Sequence, residues 1–279
     1  MMLPGAAGGR VRELATRVVV GAGLAVVTLG CLLADRWTWA ALIGVAIVLA
    51  WREWAGLVRV PKAELALSSV LLAAWVGIVT LDPTQWWYIV VVFGAVIFRP
   101  KHRSAESVAR LANQGILYVA VPAFALVVIR QLPDGVMWIA YVFAVVWSAD
   151  VAAYAVGRLV GGPKLWPRIS PAKTWAGFAG ACLAAMAASV AVWSLIAIGG
   201  AGSASNDTHY QVPLRAAIAG LLLGALAQGG DLFESWLKRR AGVKDSGTLL
   251  PGHGGVLDRL DSLIPVAPAV AGAVWLGWL

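Results

Sequence analysis

Charge is scarce in this sequence: Asp, Glu, Lys and Arg make up 13% of its 279 residues, while 60% are hydrophobic. A soluble domain carries roughly a quarter of its residues charged, so water is not the solvent for most of this surface. Cysteine is almost missing. Cys31 and Cys182 fall inside apolar runs at no metal or redox spacing, and they leave the compartment open. Histidine is rare as well. His209 lies in a Gly/Ser stretch and His102 between Lys101 and Arg103, where a solvated or interfacial role suffices. No inverted repeat of the transporter kind is visible. What charge there is leans one way, to a net +8, but the basic residues sit in short loops between apolar runs and form no stripe. That excludes a nucleic-acid surface and favours the cytoplasmic loops of a membrane protein, as do 15 Trp residues suited to a membrane interface.

A hydrocarbon core about 30 Å thick needs roughly 20 apolar residues of helix, because unsatisfied backbone groups are too costly in lipid. Apolar runs bounded by charge, Pro or Gly give about nine crossings, near 17–34, 37–51, 65–81, 85–98, 114–131, 136–157, 175–199, 213–231 and 263–279. The expected fold class is therefore an all-α polytopic helical membrane protein. Arg10, Arg12 and Arg17 precede the first run, whose Thr28-Leu29-Gly30 before Cys31 is a poor cleavage box, so a retained helix is expected there. With the N-terminus in the cytoplasm and sides alternating, 19 of the 22 basic residues fall inside and only Arg36, Arg130 and Arg215 outside. This asymmetry predicts a cytoplasmic N-terminus and an external C-terminus. Residues 104–113 are expected as a helix lying on the inner surface.

The charge that exists is concentrated. Asp231 to Asp261 holds 10 of the 36 charged side chains, five basic together with Asp231, Glu234, Asp245, Asp258 and Asp261. If the eighth crossing continues to about Ala241, with Gly242 as its stop, then Asp231, Ser235 and Lys238 lie near one helix face. Carboxylates suit a hard cation such as Mg²⁺, and Lys and Arg suit phosphate oxygens; together they describe a metal–polyphosphate site. Pro251-Gly252-His253-Gly254-Gly255 lets backbone N–H groups approach an anion closely.

The stretch Ser235 to Asp261 resembles the signature of the phosphatidate cytidylyltransferase (CDP-diacylglycerol synthase) family, bacterial type. It carries Ser235, Lys238-Arg239, Lys244-Asp245, His253-Gly254-Gly255 and Asp258-Arg259-Leu260-Asp261 at the family's spacing. Asp150, Ala153, Tyr154 and Gly157 are similar to the family's D-x-x-A-Y-x-x-G helix. Ser170-Pro171-Ala172-Lys173-Thr174 resembles its S-P-x-K-T loop. The chain departs from the pattern at Ala172 and Ala176, where many members carry a basic residue and Glu or Gln, so any role of those side chains is absent here or supplied elsewhere.

The resemblance implies an enzyme that joins CTP to phosphatidic acid, giving CDP-diacylglycerol and pyrophosphate, with Mg²⁺ or another divalent cation and as a homodimer in the inner (plasma) membrane, its site facing the cytoplasm. Residues 1–135 would supply about five N-terminal helices, and 136–279 the catalytic region with cytoplasmic loops 158–174 and 232–262. Asp231 and Asp258 are the leading metal ligands, with Asp261 and Asp150 as further ligands or as residues orienting them. Lys238, Arg239, Lys244 and Arg259 are assigned to phosphates, and Ser235, Lys173, Thr174, Tyr154, Gly254 and Gly255 to substrate. His253 either contacts phosphate or fixes the loop, and Asp245 either orients Lys244 or touches metal. The competing readings are a CTP-dependent enzyme on another lipid, of the archaeol cytidylyltransferase or polyprenol kinase kind, and a membrane transporter. A transporter more often binds near the midplane between broken repeats, whereas this cluster is interfacial.

Overall fold

The computed structural model describes residues 5–82, 84, 106–198 and 211–279. They form α1 (Gly5–Leu33), α2 (Arg36–Val58), α3 (Lys62–Leu81), α4 (Glu106–Gln131) and α5 (Gly135–Leu159). A hairpin of β1 (Lys164–Trp166) and β2 (Ser170–Thr174) follows, then α6 (Trp175–Ile198), α7 (Gln211–Arg240), α8 (Leu257–Leu260) and α9 (Leu263–Trp275). The protein is thus mostly helical, and seven of these helices, α1 to α7, are long and apolar enough to cross a membrane. The expected crossing at 85–98 lies outside the described residues. The final one differs in length: α9 has 13 residues, about 20 Å of helix, which is short of a full span.

Three other expectations change. The second crossing runs on to Val58, well past Trp51. Residues 106–113 are the first turns of α4 itself, not a separate surface helix. The loop between α5 and α6, read as helix-free connection in an all-α protein, carries the antiparallel β1–β2 hairpin, with Lys164 opposite Thr174 and Trp166 opposite Ser170.

Local chemistry fixes the helix ends. Asp35 caps α2, its Oδ1 accepting the N–H groups of Trp37 (2.7 Å) and Thr38 (3.1 Å). Gly242, at φ +75°, follows the end of α7 in the left-handed conformation that suits glycine. Within α2, Trp39, Trp51 and Trp54 are almost completely buried. Each indole N–H finds an acceptor: the Leu126 carbonyl, Ser68 Oγ and the Leu111 carbonyl. These rings are core, not interfacial anchors, and satisfied N–H groups make that tolerable.

The helices around the site approach through small residues. On α7, a Cβ at Gly220 would lie 2.5 Å from Ser189 Cβ, and one at Gly224 would lie 2.8 Å from Ala185 Cβ, so α6 and α7 meet nearly backbone to backbone. At Gly177 a Cβ would lie 2.7 Å from the Ala153 carbonyl, which brings α5 equally close to α6. A polar thread crosses the same three helices: Tyr141 and Ser189 hydroxyls lie 2.7 Å apart, and Ser189 donates to the Ala216 carbonyl.

Candidate active site

Four parts of the chain converge on one cavity of about 640 Å³. Asp150 and Tyr154 come from α5, Lys173 and Thr174 from the end of β2, Gln228 and Asp231 from α7, and Asp258, Arg259 and Asp261 from the stretch that contains α8. The close helix contacts explain the convergence. Gly230 has no room for a side chain, since a Cβ there would collide with the Asp261 carbonyl and lie 2.8 Å from the Pro265 ring. Asp231 and Asp261 are therefore pressed into the same wall.

The β hairpin delivers a cation to that wall. Lys173 Nζ lies 2.7 Å from Asp231 Oδ2 and donates to Gln228 Oε1 at 3.0 Å. Thr174 is buried and faces inward, its Oγ1 accepting the Gly177 N–H at 3.1 Å. Ser235 donates to Asp231 Oδ1 at 3.3 Å, one turn further along α7. Asp150 Oδ1 accepts the Ser262 hydroxyl at 3.2 Å, tying α5 to the start of α9. Burial pushes the Asp261 carboxyl up to about 7, and the charges of Asp231 and Asp150 add to this, against a hydrogen bond from the Ser262 N–H. Asp150, Asp231 and Asp261 thus crowd one cavity with Asp258, and Arg158, Lys164, Lys173 and Arg259 line it as counter-charges.

Asp258 is engaged differently. Its Oδ1 lies 2.5 Å from Lys238 Nζ, and its Oδ2 accepts the N–H groups of Ser246 (2.9 Å) and Gly255 (2.8 Å). Burial acts to raise its pKa, but the Lys238 and Gly255 hydrogen bonds outweigh burial and hold the carboxyl below the usual range. Lys238 in turn reaches Glu234 Oε2 at 2.7 Å, and the Glu234 side chain is wholly buried. Lys238 therefore sits between two carboxylates inside the protein.

The remaining expected residues lie further out, apart from Tyr154 on the cavity's exposed side. Arg239 donates to the Ile169 and Val243 carbonyls, and Lys244 and Asp245 are exposed. Tyr154 is 68% exposed and accepts from Arg158 at 3.0 Å. His253 stands against α1, where a Cβ at Gly21 would lie 3.4 Å from its Nε2. The glycine loop, expected to turn its N–H groups to a bound anion, turns several of them to the protein's own carboxylates. Gly255 donates to Asp258, while Val256 and Leu257 donate to Glu53 of α2.

Glu53 is the residue that sequence reasoning missed, together with Gln228. Its signal was present: a carboxylate at the end of an apolar run, Trp51-Arg52-Glu53-Trp54, is costly unless it has partners. A second, largely apolar cavity of about 570 Å³ lies between α1, α2, α4 and α5, with Leu24, Trp39, Leu126 and Phe143 among its walls. Asp150 and Arg259 line both cavities, so the charged space and the apolar space meet at these two residues.

Residues 15–276 match the model of the cytidylyltransferase family. This chain belongs to that family. It is 49% identical over 154 residues to a phosphatidate cytidylyltransferase of Brucella suis biovar 1, over 55% of this chain and 53% of that protein. It therefore spans about half the length of that relative. The same name is carried by a Staphylococcus haemolyticus protein, 38% identical over 60% of each chain. A Staphylococcus epidermidis protein of that name is 34% identical over 74% of this chain and 75% of its own.

Proposed function

We propose that this protein is an integral membrane enzyme that transfers the cytidylyl group of CTP to phosphatidate, forming CDP-diacylglycerol and pyrophosphate. The observation that carries this reading is the meeting of the two cavities at Asp150 and Arg259. A phosphate head in the charged space and acyl chains in the apolar one describe a phospholipid acid better than a water-soluble acceptor. The names of the relatives agree with it.

In the reaction a phosphatidate oxygen forms a bond to the α-phosphorus of CTP, and the bond from that phosphorus to the bridging oxygen breaks, releasing pyrophosphate. The nucleophile is already an anion near neutral pH, so the protein's task is positioning and charge neutralisation. Arg259 and Lys173 are the cations beside the cavity's carboxylates that would meet phosphate oxygens, with Arg158 and Lys164 also on its lining, and Gln228 holds Lys173 in place. Lys238 acts from within, fixing Asp258 through their 2.5 Å contact. Among the described residues no three His, Cys, Asp or Glu side chains form a ready-made metal cluster. The crowding of Asp150, Asp231 and Asp261 nevertheless suits a divalent cation held by one or two carboxylates plus substrate phosphates, the way Mg²⁺ is usually bound. Such an ion would supply charge neutralisation at the transferred phosphate. The reading also places the cavity at the cytoplasmic face, where CTP is found.

Purified protein given labelled CTP, phosphatidate and Mg²⁺ should form a labelled lipid and pyrophosphate, and omission of any one component should abolish both. Transfer to a polyprenol or an archaeol-type lipid but not to phosphatidate would replace the acceptor.

A further inference from the structure

The glycine loop of the signature is gripped from two sides, and the second grip comes from a helix nearly 200 residues earlier in the chain. Glu53 Oε1 accepts the Val256 N–H at 2.9 Å. Its Oε2 accepts the Leu257 N–H and the Ser246 hydroxyl, both at 2.8 Å. From the other side, Asp258 Oδ2 accepts the N–H groups of Ser246 and Gly255. Ser246 is shared, its side chain held by Glu53 and its backbone by Asp258. Glu53 also crowds two of the glycines: a Cβ at Gly247 would lie 2.5 Å from its Oε1, and one at Gly255 would lie 2.7 Å from its Cδ and against the Ser246 hydroxyl.

We infer that Glu53 is a positioning residue for nucleotidyl transfer: its carboxylate clamps Ser246, Val256 and Leu257, and so sets where Asp258, Arg259 and Asp261 face the cavity. This rests on the reading of the cavity as the transfer site. The physical case has three parts. A half-buried carboxylate is costly unless it is hydrogen-bonded, and Glu53 accepts three such bonds. Two of its partners are Val256, just before α8, and Leu257, which begins it, and the next two positions are Asp258 and Arg259. The contact joins α2, which carries none of the signature, to the segment that carries most of it. Losing it would leave the cavity's residues present but loosely aimed, and a misplacement of about 1 Å can cost roughly 10²-fold in rate.

The test compares wild type, Glu53→Gln and Ser246→Ala in detergent, by hydrogen exchange and by initial rates. Gln keeps the size of Glu but turns a donor toward donors. Glu53→Gln should speed exchange of the 246–260 amides by about tenfold or more while α5 to α7 keep their protection. Turnover should fall by about tenfold or more, with KM for CTP within about threefold of wild type. Ser246→Ala, which removes one of the three bonds from the opposite side, should give the same local pattern to a smaller degree. It decides the matter if Glu53→Gln loses protection throughout. Unchanged protection of the loop in both variants overturns the inference, and so does a loosened loop with wild-type turnover. A wild type that makes no CDP-diacylglycerol would instead refute the transfer reaction, and the exchange measurements would still judge the clamp.

Discussion

Asp231 and Asp258 both reach the charged cavity, but their oxygens are engaged in different ways. Asp231 pairs with one cation from a hairpin, whereas Asp258 holds Lys238 and two loop N–H groups at once. Asn at either position keeps the size and removes the charge, and each change should lower turnover by about 10²-fold or more, equivalent to about 2.7 kcal/mol of barrier. The two should separate on titration with Mg²⁺. Asp231→Asn should shift the half-saturating concentration upward, while Asp258→Asn should lower the maximum and loosen the loop. Asp35→Asn, which keeps the α2 cap and lies far along the chain from the signature, should leave turnover near wild type. Most of this site was legible because the signature residues are polar islands in an apolar sequence. For Glu53 only the lone carboxylate in an apolar run was legible; its partners were not, since a hydrogen bond spanning 193 residues leaves no local spacing to read.

At the scale of elements, glycine placement separates contact from exposure along α7. Gly224 faces α6, where a Cβ would lie 2.8 Å from Ala185 Cβ and 2.9 Å from Cys182 Cα; Gly229 has nothing within 4 Å. Gly224→Ala should destabilise the protein by about 1–3 kcal/mol, as overpacking does. Gly229→Ala should be neutral or stabilising by up to about 1 kcal/mol through helix propensity. Thermal unfolding of both variants in the same detergent checks the pair. The helices themselves were readable from apolar runs, with errors of physical origin. Arg52 and Glu53 look like the end of a crossing, yet α2 continues to Val58 because Trp51 and Trp54 are buried on either side and Glu53 is satisfied by the loop. The hairpin escaped notice because Ser170-Pro171-Ala172-Lys173-Thr174 lacks the alternating apolar pattern of a half-buried strand.

For the molecule as a whole, the distribution of basic residues predicts the side of the membrane on which each loop lies. A reporter inserted at Gly242 should be cytoplasmic and one fused after Leu279 external, as measured by paired enzymatic reporters active on opposite faces. Both on one side would refute the nine-crossing arrangement without touching the chemistry, because the charged cavity is built by α5, α7, the hairpin and α8 regardless of how α9 ends.

The contact between Glu53 and the glycine loop also sets a rule for how this sequence can drift. Gly247 has no room for a methyl group because the Glu53 carboxylate occupies it, and at Gly255 that carboxylate and the Ser246 hydroxyl bound to it occupy it together. The three positions therefore share one volume, and none of them can change size alone. Among related chains, Gly at the two loop positions should travel with Glu at the position of Glu53. A lineage that shortens this acid, or moves it elsewhere, becomes free to accept Ala at the position of Gly247, and at that of Gly255 only where Ser246 also gives way. Co-inheritance of three residues, split between the first quarter and the last quarter of the chain, would be the record of a single carboxylate.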